Sequence, residues 1–180
     1  MQINVSILSL RLSGFCCRFC THVSLSTFNL IDYNRIFGFI VTLTSRFHPP
    51  DPLYEIISNG DDYKVNISPE LPTPPDFPGV IKVDMALTLS NSKIPIICFI
   101  IKEAKYTMIY SHGNATDCGA MYSRYLNIAT ALSINVIGYD YTGYGASPGI
   151  PTEKQTYKDI ECVYKWAIDN GELHHVNYIM

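Results

Sequence analysis

The chain has 180 residues, 47% of them hydrophobic and 12% aromatic, enough to bury one sizeable core of the usual single-domain size. Its formal charge of −3 hides a split: residues 1–50 carry four Arg and one Asp, net +3, whereas residues 51–180 carry nine Lys/Arg against fifteen Asp/Glu, net −6. The acidic body excludes a nucleic-acid partner, which would need clustered Lys and Arg to displace counterions from phosphates, and no run reaches the roughly 18–20 apolar residues that cross a bilayer.

The basic first segment differs from the rest. No basic residue precedes Arg11, and Cys16-Cys17-Arg18 stands where a small-residue cleavage site would be needed, which argues against a secretory signal. The six cysteines, at 16, 17, 20, 98, 118 and 162, make neither a disulfide framework nor a pair of zinc knuckles and fit a reducing, cytosolic setting. Three of them cluster as Cys16-Cys17-Arg18-Phe19-Cys20. Such a run suits S-palmitoylation, because several acyl chains anchor stably where one does not, and the positive charge favours an anionic leaflet. The competing reading is a disordered tail with incidental cysteines. The sequons at Asn4, Asn66 and Asn114 are expected by chance.

Residues 48–79 hold eight of the eleven prolines, including Pro49-Pro50 and Pro72-Thr73-Pro74-Pro75. Proline fixes φ and removes a donor, so this stretch reads as an extended strap or linker. It divides the chain into a head (1–47), a strap (48–79) and a body (80–180).

The body opens with Ile81, Val83, Met85, Leu87 and Leu89 alternating with Lys82, Asp84, Ala86 and Thr88, the period of a strand with one wet face. Ser90-Asn91-Ser92 is a turn, and residues 94–101 run almost unbroken apolar, so the two segments form an antiparallel hairpin. Residues 106–110 make a short buried strand running into a small, polar turn at 111–117. Ala120, Met121, Ile128, Ala129 and Leu132 then recur at helical spacing. Residues 135–141 give another strand, and residues 142–149, with three glycines and a proline, must be loop. Behind Pro151, Thr152 and Gln155 form a capping box. Tyr157, Ile160, Val163, Tyr164 and Ala167 make one helical face ending at Gly171, and residues 176–180 begin a strand. A hairpin followed by alternating strands and helices predicts the α/β class, a mostly parallel sheet of about five strands within this chain, because parallel neighbours need helical crossovers.

Ligands in such sheets bind beyond the carboxyl ends of the strands, at the loops 111–117 and 140–150. His112-Gly113, after a strand and before a helix, is an arrangement whose backbone N–H groups can face a developing oxyanion; the competing reading is an ordinary glycine turn. Gly145-Ala146-Ser147-Pro148-Gly149 satisfies the G-x-S-x-G pattern, yet Ser147 is not expected to be a nucleophile. Four loop residues separate it from the preceding strand, and Pro148 removes the amide beside it. His174-His175 is a weak metal pair, since adjacent side chains diverge and no carboxylates accompany them. No metal and no cofactor are expected.

Three strings read together are more specific: Ser111-His112-Gly113-Asn114-Ala115-Thr116-Asp117, Tyr139-Asp140-Tyr141-Thr142-Gly143-Tyr144-Gly145-Ala146-Ser147, and Gly149-Ile150-Pro151-Thr152-Glu153. They resemble the α/β-hydrolases of the protein-depalmitoylase group called alpha/beta hydrolase domain-containing protein 17, over roughly residues 80–180. Phe47-His48-Pro49-Pro50-Asp51-Pro52-Leu53-Tyr54 is similar to that group's proline-rich strap, and the Cys16, Cys17 and Cys20 run to its N-terminus. Residues 21–46 have no counterpart in the pattern.

The resemblance implies a mainly parallel hydrolase sheet, hydrolysis of the thioester between a fatty acyl chain and a protein cysteine, and attachment to the cytoplasmic face of membranes by S-acylation. It further implies that the Asn114 N–H contributes to the oxyanion hole with Gly113 shaping the turn, and that His112 is a structural loop residue. The triad is expected beyond Met180, so the 180 residues alone are expected to be inactive, and the partners are an acylated protein and a membrane surface. Two alternatives stay open: a non-catalytic, membrane-tethered binding protein on a truncated hydrolase fold, and part of another α/β-hydrolase such as a carboxylesterase or serine peptidase.

Overall fold

The computed structural model describes residues 47–60 and 62–171 together with the backbone of one last strand at 176–179. The elements are β1 (Tyr54–Asn59), β2 (Asp62–Ile67), β3 (Val80–Leu87), β4 (Lys93–Ile100), β5 (Thr107–Ser111), α1 (Cys118–Leu132), β6 (Asn135–Tyr139), α2 (Glu153–Asp169) and β7 (Val176–Ile179). The fold is α/β, with a five-stranded sheet in the order β3-β4-β6-β5-β7. The strands β6, β5 and β7 run parallel, whereas β3 pairs with β4 and β4 with β6 antiparallel. The sheet is thus more mixed than the expected mostly parallel one. The crossover through α1 inserts β6 between β5 and the incoming hairpin, so β4 meets a strand of opposite direction.

Both faces of the sheet are covered, and β4 shows why its sequence is continuously apolar. Ile97 and Phe99 join Tyr122, Tyr125, Leu126 and Ala129 of α1 on one face. Ile94, Ile96 and Cys98 join Val163 and Ala167 of α2 on the other. Phe99, fully buried, stands edge-on to Phe77 and Tyr122, with ring centroids 5.9 and 5.1 Å away. The expected wet face of β3 is also covered: Trp166 of α2 donates its indole N–H to Asp84 at 2.8 Å, Lys82 lies over the same ring, and Ala86 and Thr88 are buried.

Local details depart from the reading in both helices: in α2 the cap and the end are as expected, but Tyr157, expected on its apolar face, is exposed. In α2, the Thr152 side chain caps the Gln155 N–H and Gly171 adopts φ +70°, ending the helix. The Gln155 amide does not close the capping box; it reaches Asp159 instead. In α1 the buried stripe is Cys118, Tyr122, Tyr125, Leu126 and Ala129, while Ala120 and Leu132 face outward. Tyrosines, ambiguous in a hydrophobicity count, occupy the inner face.

The proline-rich stretch contains a two-stranded hairpin of its own, β1 with β2, paired from Tyr54↔Ile67 to Asn59↔Asp62. Its apolar residues Tyr54, Ile56, Val65 and Ile67 pack on the α1 side of the core. Residues Phe47–Met180 form one compact unit.

Candidate functional site

The helices α1 and α2 follow the neighbouring parallel strands β5 and β6 but lie on opposite faces of the sheet. That divergence marks the carboxyl ends of β5 and β6 as the position where open α/β sheets bind ligands. The loops 111–117 and 140–150 follow these two strand ends and are the two walls of the site.

Asp140, at the end of β6, organises both loops. It is fully buried, accepts the Cys118 N–H on Oδ1 at 2.9 Å, and receives the Tyr54 hydroxyl on Oδ2. The His112 Nε2 lies 3.0 Å from Oδ1, in ion-pair range although not aligned as a hydrogen bond. The His112 ring, with a fully buried side chain, is packed between Tyr141 and Tyr144, centroids 4.5 and 5.6 Å away. Its Nδ1 is 2.9 Å from the Gly113 carbonyl. Enclosed in this way, His112 holds the loop and cannot reach a substrate.

The opposite wall is fixed from α2. The buried carboxylate of Asp159 accepts from the Thr142 N–H (2.8 Å), the Thr142 hydroxyl (2.9 Å) and the Gln155 amide (2.9 Å). Asp159 carried no signal as a site residue beyond being a charge among the apolar positions of that helix. Replacing it with Ala removes the acceptor for a buried N–H, so Asp159→Ala is expected to cost about 1–3 kcal/mol in urea denaturation.

Residues Gly113, Asn114 and Ala115 are exposed, and their amides donate to no acceptor among the described residues. The first turn of α1 follows directly, so the partial positive charge of its N-terminus adds to the field there. Gly113 has no left-handed φ, and a Cβ there would meet nothing within 4 Å. The turn therefore does not depend on glycine, and a side chain at this position would enter open space. Gly113→Ala is accordingly expected to change stability by less than about 0.5 kcal/mol, checked by the same denaturation.

No described residue presents a nucleophile beside a base. The Ser147 side chain is buried, and its hydroxyl donates to the Lys93 carbonyl at 3.1 Å. Ser111 and Tyr139 share a hydrogen bond of 2.8 Å. Burial and the nearby Asp140 push the Cys118 thiol well above its ordinary range, so it stays protonated at neutral pH. No group of acids, histidines and cysteines among the described residues is arranged to hold a metal. Cys16, Cys17, Cys20 and the pair His174-His175 lie outside the described residues, and no helix among those described is long and apolar enough to cross a membrane.

The strap enters the site, which its composition did not suggest. The His48 N–H donates to Asn114 Oδ1 at 3.1 Å, and the Leu53 N–H to Asp117 Oδ2 at 2.7 Å. The Tyr54 hydroxyl, raised in pKa chiefly by burial and kept as a donor, bonds Asp140.

No family model matches the sequence. Over 123 residues, 66% of the chain, it is 35% identical to alpha/beta hydrolase domain-containing protein 17B of Homo sapiens, covering 43% of that protein. Over 61 residues, 34% of the chain, it is 48% identical to alpha/beta hydrolase domain-containing protein 17C of Xenopus laevis, covering 20% of that protein. The chain therefore spans less than half the length of the curated relatives it matches. Among solved structures it is similar to the esterase Pf2001 of Pyrococcus furiosus, with a TM-score of 0.53 and 22% identity over 73% of this chain and 47% of the esterase. That likeness concerns the fold.

Proposed function

We propose that this chain, related in sequence to the alpha/beta hydrolase domain-containing protein 17 proteins and folded as an α/β-hydrolase, supplies the oxyanion-receiving half of a serine hydrolase acting on fatty-acyl thioesters of protein cysteines. The observation that carries the reading is the row of three exposed residues at 113–115, just past the carboxyl end of β5, whose amides donate to no acceptor among the described residues. When a serine oxygen adds to a thioester carbonyl, the negative charge that develops on the carbonyl oxygen needs fixed donors. One such donor is typically worth about 3–4 kcal/mol of barrier. The resemblance assigns the serine, acid and base to sequence after β7; the described residues present no nucleophile beside a base.

Acylation of Cys16, Cys17 and Cys20 would place the enzyme against the membrane that holds its substrates. A second reading, a tethered binding protein without catalysis, is favoured by the same lack of a nucleophile–base pair. A chimera separates the two. Residues 1–179 are joined to the remaining sequence of the 17B relative and assayed for fatty-acid release from an S-palmitoylated peptide. Turnover is expected; a folded chimera that reacts with a fluorophosphonate yet releases no fatty acid contradicts the thioesterase reading.

A further inference from the structure

An amide can serve as an oxyanion donor only if its peptide plane is held, and two tyrosines from the neighbouring loop do the holding. A trans peptide points its N–H opposite to the preceding carbonyl, so fixing that carbonyl fixes the donor. The Tyr141 hydroxyl donates to the His112 carbonyl at 2.7 Å, which sets the direction of the Gly113 N–H. The His112 Nδ1–H donates to the Gly113 carbonyl at 2.9 Å, which sets the direction of the Asn114 N–H. The imidazole that does this is itself wedged between the Tyr141 and Tyr144 rings. One residue on, the Asn114 side chain is held at Oδ1 by the Tyr144 hydroxyl at 2.6 Å and the His48 N–H at 3.1 Å. The Gly113 and Asn114 amides are therefore oriented through the carbonyls of His112 and Gly113, and the Asn114 side chain is held as well, leaving both amides uncommitted.

We infer that Tyr141 and Tyr144 are positioning residues for the oxyanion loop: Tyr141 orients the Gly113 N–H directly, and Tyr144, with the strap N–H of His48, fixes the residue that bears the Asn114 N–H. This inference deepens the hydrolase reading and rests on it for its purpose, but the geometry can be tested without any chemistry. Neither tyrosine touches a reacting atom; each acts through a backbone group. Both hydroxyls belong to the loop 140–150, so the wall set by Asp140 and Asp159 also determines where the amides of the other wall point.

The test is solution NMR on the full chain, reading 15N order parameters and residual dipolar couplings of the Gly113 and Asn114 N–H vectors. In the unaltered chain both are expected to be as ordered as the helix α1, with order parameters of about 0.85. Tyr141→Phe is expected to lower the Gly113 value below about 0.6, the range of flexible backbone, and change its coupling, with α1 and β4 unchanged. Tyr144→Phe and His48→Pro, which removes the backbone N–H together with an exposed imidazole, are expected to loosen Asn114, whereas His48→Ala, which keeps the N–H, is not. Asn114→Ala should do so fully, and Asn114→Asp, which keeps an acceptor, should restore the order. A merely stabilising role would lower the Tm without moving these two vectors selectively, and that result overturns the inference. So does a flexible loop in the unaltered chain, which remains decisive even if a variant fails to fold. Failure of the chimera to hydrolyse a thioester would instead count against the function and leave this geometry standing.

Discussion

Asp140→Ala is expected to lower stability by about 3–5 kcal/mol, the cost typical of breaking a buried charged network by removing one partner. The carboxylate is fully buried and serves three groups from three parts of the chain: the Tyr54 hydroxyl of the strap, the Cys118 N–H that starts α1, and His112 in the loop 111–117. Truncation leaves the Cys118 N–H and the tyrosine hydroxyl buried without an acceptor, and removes the carboxylate beside His112 Nε2. In a chain of 180 residues a loss of that size lowers the Tm by on the order of 10 °C. Asp140→Asn retains one acceptor oxygen and should lose less, so calorimetry on the pair separates hydrogen bonding from packing. Equal, small losses in both variants would show that the hub is incidental.

Gly145→Ala is the second large effect, expected to cost several kcal/mol. Two penalties act together at this position. The backbone φ is +48°, a region that costs a residue with a Cβ about 1–2 kcal/mol. The added Cβ would also overlap Asp140 Oδ2 and lie 2.7 Å from Asp140 Cγ and 2.9 Å from the Tyr54 ring. Since those are the partners of the buried hub, relief of the clash must displace the very contacts that join the strap to the loop. The contrast with Gly113→Ala, where the Cβ enters open space, makes the comparison internal: two glycines in facing walls, one required by packing and one not. Equal stabilities of the two variants would contradict the packing described for the loop 140–150.

Much of this organisation is legible in the sequence, and what is not has definite physical reasons. Period and punctuation locate β3, β4, β5, β6 and α2, because hydrophobic spacing, Thr152 and Gly171 are local signals. The two walls of the site follow from the small residues after each strand. The β1–β2 hairpin also has a local signal, Gly60-Asp61 between Tyr54, Ile56 and Tyr63, Val65, with Gly60 at φ +71° after the paired Asn59. Prolines at 49, 50 and 52 and at 69–78 bracket that hairpin and never enter it. A composition reading averaged over the whole stretch therefore hid two strands. The inner face of α1 was missed because tyrosine is amphipathic: Tyr125 is fully buried and Tyr122 nearly so, each through its ring.

The roles of Asp140, Asp159, Tyr54 and Tyr141 belong to a different class. The partners that define those roles, Thr142 for Asp159, His112 for Tyr141 and Tyr54 for Asp140, are 17, 29 and 86 residues away in sequence, chosen by the way the sheet brings loop to loop. A carboxylate at the end of a strand gives no sign, by itself, of which hydroxyls it will collect. The motif strings preserved the residues without revealing that the strap is part of the frame.

In the proposed reading, residues 47–171 build a receiver for an oxyanion, and no serine among the described residues of that span is the nucleophile. The direct measurement is exposure of the purified 180-residue chain to an alkyl fluorophosphonate, followed by peptide mass spectrometry. No adduct is expected on any serine of that segment, with Ser147 held buried by its bond to the Lys93 carbonyl. A stoichiometric adduct on Ser147 would contradict the reading and make the Gly145–Gly149 loop the catalytic elbow.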